Sequence, residues 1–256
     1  MNRRRDLLTM LQKSLSISVV VPVYNEEAGI GQLSERLASV SKLWPDRAVE
    51  FVFVNDGSAD GTQEGLEAVF GGNAQCRIVQ HDRNRGVGAA FRTGFGQAQG
   101  EVVCTIDADC SYGPENLKLL VEAVERDGAD ISVASPYHPL GRVDGVPRWR
   151  LFLSKGCSLF YQMIAPVRLY TYTSVFRAYR RSVIEAVAFE ENGFVSAAEV
   201  LIRAGELGFR IVEVPMTLHA RKIGHSKMKV LRTIRQHVAL MVRNMARRAL
   251  AASSAR

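Results

Sequence analysis

Four cysteines in 256 residues (Cys76, Cys104, Cys110 and Cys157) show no C-x-x-C spacing and no histidine at zinc-finger distance. That excludes a disulfide framework and a thiolate zinc site, and a reducing, cytoplasmic setting is expected. No apolar run approaches the roughly 18 residues that a membrane-spanning helix needs. The start, Met1-Asn2-Arg3-Arg4-Arg5, has the charge of a signal peptide. However, Thr9, Gln12, Lys13 and Ser14 break the stretch after it and no small-residue cleavage site follows, so export is not expected. Aromatic rings stop at Phe209 and acidic residues stop at Glu213. Internal repeats are missing too, and low complexity is confined to the short Ala/Ser terminus.

The absence of acids from the C-terminal part shapes the whole charge distribution. The chain holds 33 Lys and Arg against 26 Asp and Glu, a net charge of +7. Ten of the basic residues lie between Pro215 and Arg256, leaving 23 against 26 before them, a balance of −3. A mildly acidic body with a strongly basic tail implies a polyanionic surface partner, either nucleic acid or anionic lipid. With no aromatic platform beside the charge, nucleic acid is disfavoured. From residue 228 to about 250 the spacing predicts a helix with Val230, Ile234, Val238, Met241 and Met245 on one face and Arg232, Arg235, Arg243 and Arg247 on the other. Such a helix suits an anionic membrane surface, and the competing reading packs it on its own body or a partner. The chain thus divides into a basic arm (1–16), a main domain (17–227, halves 17–134 and 135–227) and a basic tail (228–256).

What is present is a regular alternation. Strands are predicted at 17–23, 50–54, 76–80, 101–106 and 130–134, with helices at 27–43, from Asp60 onward, at 87–98 and from Pro114 to about 126. This pattern indicates an α/β fold, a mostly parallel sheet covered by helices on both faces, with its site at the carboxyl ends of the strands. Polar clusters stand at those ends: Tyr24-Asn25-Glu26, Asn55-Asp56-Gly57, Asn84-Arg85-Gly86 and Asp107-Ala108-Asp109. Residues 135–147 read as a loop. Beyond them come a helix at 148–164, a strand at 173–179, a helix at 196–207 and a strand at 210–214.

Asp107 and Asp109 place two like charges at the end of a buried strand, a costly arrangement unless a cation lies between them. One or two carboxylates together with substrate phosphates are a usual way to hold Mg²⁺ or Mn²⁺. The bland alternative is a turn Asp and a helix-capping Asp ahead of Pro114. Asp56, straight after an apolar strand, is positioned to accept hydrogen bonds from a base or ribose, although Asp-Gly is also an ordinary turn. The stretch from Gly86 fails as a dinucleotide fingerprint because its sixth position is Phe91. With Arg85 and Gly86 it can still approach a pyrophosphate at a helix N-terminus.

VVVPVYNEE (19–27), VNDGSADGT (54–62), NRGVGAAFRTGF (84–95) and the D-A-D strand end together resemble a family-2 inverting glycosyltransferase of the nucleotide-diphospho-sugar (GT-A) fold. Arg150-x-x-x-Ser154, TSVFRAYRR (173–181), the helix with Glu199 and IVEVPMTLHARKIGHSKM (211–228) resemble the dolichol-phosphate mannose synthase branch, which moves a sugar onto a polyprenyl phosphate. The resemblance implies that Pro22, Tyr24, Glu26 and Asp56 line the nucleotide pocket and that Asp107 and Asp109 serve metal and diphosphate. It also implies that Arg150, Ser154, Arg177 and Arg221, with Lys227 near them, face the acceptor phosphate. Glu199 is assigned to orienting the basic residues or metal ligands, or to acting as a base in a relative with a hydroxyl acceptor. The implied partners are a GDP- or UDP-linked sugar, a polyprenyl phosphate and the inner face of an anionic membrane. The rivals are transfer to a hydroxyl of a polysaccharide or lipid, and a non-catalytic scaffold. Ser111, Ser135-Pro136-Tyr137 and Tyr172-Thr173-Ser174-Val175-Phe176-Arg177 depart from the mannose synthase pattern, so the donor is left open.

Overall fold

The computed structural model describes residues 16–220 and 230–254. A seven-stranded sheet is built from β1 (Ile17–Val23), β2 (Val49–Asn55), β3 (Cys76–Gln80), β4 (Val102–Thr105), β5 (Ile131–Ser135), β7 (Arg177–Arg180) and β8 (Ile211–Pro215), in the spatial order β3-β2-β1-β4-β7-β5-β8. All neighbours run parallel except β7, which is antiparallel to both β4 and β5. A two-stranded ribbon of β6 (Arg142–Asp144) and β9 (Thr217–His219) stands apart. The helices are α1 (Ile30–Leu37), α2 (Thr62–Phe70), α3 (Val87–Gln97), α4 (Leu117–Glu125), α5 (Arg148–Ile164), α6 (Arg181–Ala186), α7 (Ser196–Glu206) and α8 (Val230–Ser254).

Alternation within each strand explains the two-faced core. Val19 and Val21 of β1, Phe51 and Phe53 of β2 and Cys104 of β4 point to one side, where they meet Ile30, Leu33 and Leu37 of α1, Leu66 of α2 and Leu120 of α4. Val20, Val52, Val54 and Val103 point to the other, against Ala90 and Phe91 of α3, Tyr161 of α5 and Leu201 of α7. Strands buried on both faces read as continuous apolar runs, as these do. Fully burying a side chain of this size contributes about 1.5–3 kcal/mol.

Chain order reverses between β1 and β4: β1 carries β2 on one side and β4 on the other. Such a switch point opens a crevice at the carboxyl ends of the strands. The ends of β1 and β4 therefore flank one cleft, with Pro22 paired to Val54 and Val20 to Thr105 in register.

The predicted strand at 173–179 is shortened and shifted to Arg177–Arg180. Residues 173–176 instead make side-chain bonds: Thr173 Oγ1 lies 2.8 Å from Ser154 Oγ, and Ser174 Oγ accepts the Phe176 amide at 3.3 Å. The loop predicted at 135–147 contains β6, whose partner β9 is more than 70 residues away, a pairing that no local pattern announces. β7 and β8 join the sheet of the first half directly or through β5, so the two predicted halves share one sheet.

Candidate active site

The ends of β1 and β2 are laced together by short polar side chains. Asn25, in the left-handed region at φ 52°, accepts the Ala59 amide at 2.8 Å, and its own amide donates to Ser58 Oγ at 2.9 Å. The Glu26 amide donates to Thr62 Oγ1 at 2.9 Å, and Asp60, one residue ahead of the Gly61 that opens α2, accepts the Thr62 amide at 3.2 Å. Tyr24 and Glu26 are thereby held half-buried at the mouth of the crevice, with Pro22 beneath them on the strand.

Asp56 is 3 % exposed and its carboxylate is already well engaged. It accepts the amides of Arg85 at 2.9 Å and Gly86 at 2.7 Å, and His81 Nδ1 lies 2.7 Å from Oδ1. The carboxylate thus braces the glycine loop. Two glycines make this possible. Gly57 sits at φ 65°, where a Cβ would also collide with the Arg83 backbone. Gly86 sits at φ 100°, where a Cβ would strike the Asn192 carbonyl. The Gly88 amide, at the start of α3, donates to that carbonyl at 2.7 Å.

Asp107 and Asp109 follow β4 on a tight turn in which the Cys110 amide donates to the Asp107 carbonyl at 3.0 Å and Cys110 adopts φ 49°. Asp109 Oδ1 accepts the amide and the hydroxyl of Ser111 at 2.9 and 2.8 Å. The turn function of the bland alternative is therefore real, and it fixes the direction of the carboxylate. Both acids are half-buried, and Asp109 fronts a groove of about 530 Å³ that also takes in Arg36, Arg142 and His219. Among the described residues no group of three or more His, Cys, Asp or Glu could hold a metal alone. Two hard carboxylates fit Mg²⁺ or Mn²⁺ when substrate phosphates complete the shell.

Of the residues expected at the acceptor phosphate, two lie side by side. Arg150 and Ser154 lie one turn apart on α5, both half-buried; the Arg150 guanidinium stands over the Trp149 ring at 5.3 Å. Thr173, bonded to Ser154, leads within three residues to Phe176, whose ring stacks on Tyr112 at 5.1 Å. The aspartate turn and the start of α5 are therefore joined through residues 173–176. Arg221 and Lys227 lie outside the described residues.

Two assignments are corrected. Arg177, expected at the acceptor phosphate, is 1 % exposed, and its guanidinium donates to the carbonyls of Ala197 at 2.8 Å and Tyr172 at 3.0 Å. Its position on a strand buried between β4 and β5 points it into the core. Glu199, expected to orient cations or metal ligands, is 2 % exposed, and Oε2 accepts the amides of Glu190 and Glu191 at 3.0 and 2.8 Å, while Oε1 stands 3.6 Å from Arg203. It therefore holds the 190–192 segment under the glycine loop. Sequence reasoning passed over His81 and Asn192. The signal for His81 was its place immediately after β3, the strand end whose first residues were skipped.

The predicted apolar face of the tail helix is rotated. α8 packs on α5, with the Tyr161 hydroxyl 2.8 Å from His237 Nδ1, and buries Leu240 and Asn244. Met241 turns inward, and the stripe left outside is Leu231, Ile234, Val238, Val242 and Met245. Beside it α5 exposes Trp149, Phe152, Leu159, Phe160 and Met163. Among the described residues no helix is long and apolar enough to cross a membrane.

The sequence model of glycosyl transferase family 2 matches residues 18–188. The polyprenol monophosphomannose synthase of Mycolicibacterium smegmatis is 35% identical over 217 residues, covering 82% of this chain and 80% of that protein. The dodecaprenyl-phosphate galacturonate synthase of Rhizobium johnstonii is 32% identical over 232 residues, covering 87% of this chain and 64% of that one. Among solved structures, glucosyl-3-phosphoglycerate synthase from Mycobacterium tuberculosis, in complex with Mn²⁺, UDP and glucosyl-3-phosphoglycerate, superposes with a TM-score of 0.70 at 21% identity, over 93% of this chain and 82% of that one. At that identity the likeness speaks for the fold.

Proposed function

The chain belongs to glycosyl transferase family 2, in its polyprenyl-phosphate mannose synthase-like branch, and from that premise we propose that it transfers a sugar, with inversion, from a nucleotide-diphospho-sugar to a polyprenyl phosphate. What supports this reading is the connection between two unlike groups of residues. A carboxylate pair ends β4, a cation and a hydroxyl open α5, and residues 173–176 link them. Relatives of nearly equal identity bear the names of different sugars, so the sugar stays open.

The chemistry needs no general base. A phosphate monoester is already largely ionised at neutral pH, its second pKa being about 6. Its oxygen bonds the sugar C1 on the face opposite the diphosphate, whose oxygen leaves with the bonding pair. The obstacle is repulsion between two anions. Arg150, with Arg221 and Lys227, supplies the acceptor side with positive charge, and Ser154 donates to a phosphate oxygen. Asp107 and Asp109 would hold Mg²⁺ or Mn²⁺, which when bound neutralises charge on the departing diphosphate. Tyr24, Glu26 and the braced loop at Arg85 and Gly86 hold the nucleotide.

Transfer to a hydroxyl would require a reachable base. Glu199, the residue considered for it, is buried and takes two backbone amides, which favours the phosphate acceptor. The acceptor is embedded in a bilayer, and the outward apolar faces of α5 and α8 beside the basic tail suit attachment to the cytoplasmic surface of an anionic membrane. The test incubates the full chain with labelled UDP- and GDP-sugars, undecaprenyl-phosphate vesicles and Mn²⁺. A mild-acid-labile glycolipid that fails to form with EDTA is expected. Label in an acid-stable glycoside would overturn the acceptor assignment.

A further inference from the structure

Three side chains, from the residues just after β2 and β3 and from α3, form a relay behind the crevice, buried at Asp56 and His81 and half-buried at Thr93. His81, on the residue after β3, is 6 % exposed, with Nδ1 2.7 Å from Asp56 Oδ1 and Nε2 2.9 Å from Thr93 Oγ1 on α3. Its backbone amide donates to the Asn55 carbonyl at 2.9 Å, which sets the ring level with Asp56. An ionised carboxylate only accepts, so Nδ1 carries the proton and donates it to Asp56. In the neutral ring Nε2 then accepts the Thr93 hydroxyl proton.

We infer that His81 is a positioning residue for the sugar-nucleotide donor, acting through Asp56. Asp56 Oδ1 receives His81 and the Arg85 amide, and Oδ2 receives the Gly86 amide. A carboxylate offers about four acceptor positions, so Oδ2 keeps capacity for an N–H or O–H of a ligand in the crevice. Without the imidazole, the carboxylate can rotate about its Cβ–Cγ bond, and both the loop amides and the remaining acceptor position lose their direction. Thr93 closes the other end: it ties the ring to the helix whose first turn carries Gly88, so pocket, glycine loop and α3 are fixed by one ring. A ring of the same size without nitrogens would fill the space and leave Asp56 short of a charge-assisted bond. The uracil N3–H and the guanine N1–H are both donors of the kind such a carboxylate accepts. The inference rests on the donor-site reading above.

The test compares the full chain with His81→Phe, which keeps a planar ring and removes both nitrogens, and with His81→Asn, whose amide can donate from near the Nδ1 position. Binding of UDP and of GDP in the presence of Mn²⁺ is measured by calorimetry, beside melting temperature and the KM for acceptor. His81→Phe should weaken nucleotide binding by about ten- to hundredfold, the loss of one charge-assisted hydrogen bond. His81→Asn should restore most of it, and acceptor KM should stay put in both. Wild-type nucleotide affinity in His81→Phe overturns the inference, as does a loss in both variants that merely follows melting temperature. Should His81→Phe fail to fold, Thr93→Val takes its place with a smaller loss in the same direction, and unchanged nucleotide affinity there also overturns it. A wild-type chain that binds neither nucleotide overturns the donor-site reading. The imidazole Nδ1–H separates the two failures: a slowly exchanging proton signal that vanishes in Asp56→Asn still supports the positioned carboxylate, and its absence refutes it.

Discussion

A carboxylate's work can be read from what already holds its oxygens. Asp109 keeps Oδ1 on Ser111, and an asparagine carbonyl can take the same two bonds, so Asp109→Asn should leave the turn and the melting temperature intact. Removing the ligand charge should still cut transfer by about a hundredfold or more. A variant that keeps over about a tenth of wild-type turnover with saturating Mn²⁺ would sink the metal assignment. Glu199 is the opposite case. Glutamine can present a carbonyl to the Glu190 and Glu191 amides but turns an NH₂ toward Arg203, so Glu199→Gln should raise the donor KM several-fold through the loosened segment and leave kcat nearly unchanged. A general base would show itself by a fall in kcat of about 10²–10⁴. The sequence made the identity of these acids legible and left their roles ambiguous. Asp107 and Asp109 stood out because like charges at a strand end need a cause. The tasks of Arg177 and Glu199 depend on which carbonyls and amides the fold delivers to them, and those come from residues up to 20 positions away.

Elements were legible where local periodicity decides them. The limits of β1, β3 and α5 match the local patterning: β1 is buried on both faces, β3 is a half-buried edge strand of β-branched and polar residues, and α5 buries Ser158 and Tyr161 on one side. The direction of β7 and the pairing of β6 with β9 were not, since non-local partners set both. α8 falls between: its helicity was plain, but its rotation follows from what the fold offers it, the burial of Leu240 and Asn244 together with the polar contact of His237 with Tyr161. Burial pushes His237 down to about 4 from 6.5, and its Nδ1 is bonded to the Tyr161 hydroxyl. The sign follows from proton counts. Between those two values the detached or unfolded histidine binds more protons than the packed one, so the packed state is favoured fully above 6.5 and progressively less toward 4. Hydrogen exchange of α8 amides should therefore accelerate as pH falls through that window, and His237→Gln should flatten the dependence. Exchange that is pH-independent, once corrected for intrinsic rates, would mean that His237 does not hold the helix. Because Arg243 of α8 also pairs with Glu191, in the segment beneath the glycine loop, loosening α8 should reach the nucleotide side as a weaker donor affinity.

At the scale of the whole molecule, charge and exposed apolar surface point the same way. The body before Pro215 is slightly acidic, the tail is basic, and the two helices that pack side by side both turn large apolar residues outward, with Phe152 79 % and Leu231 80 % exposed. The charge asymmetry was visible in the sequence. The contribution of α5 was not, since its stripe reads equally well as a core face until Tyr161 and Ser158 are seen to occupy the buried side. If this surface meets the bilayer, two substitutions on each helix can remove the contact without touching the interior. Val238→Ser with Val242→Ser, and Phe152→Ser with Phe160→Ser, change only exposed positions. Losing apolar area at about 25 cal/mol per Å² should cost roughly 1–2 kcal/mol per inserted ring, so the phenylalanine pair should weaken vesicle affinity by well over about tenfold. The valine pair should cost less. Affinity for UDP or GDP in solution should not change in either. Binding of the wild-type chain should depend on anionic lipid and fall as salt screens the arginines over a Debye length of about 10 Å. Should wild type ignore anionic vesicles at low salt, or both double variants bind them as wild type does, the outward faces of α5 and α8 would have to meet a protein, and transfer to lipid phosphate would require that protein to be added.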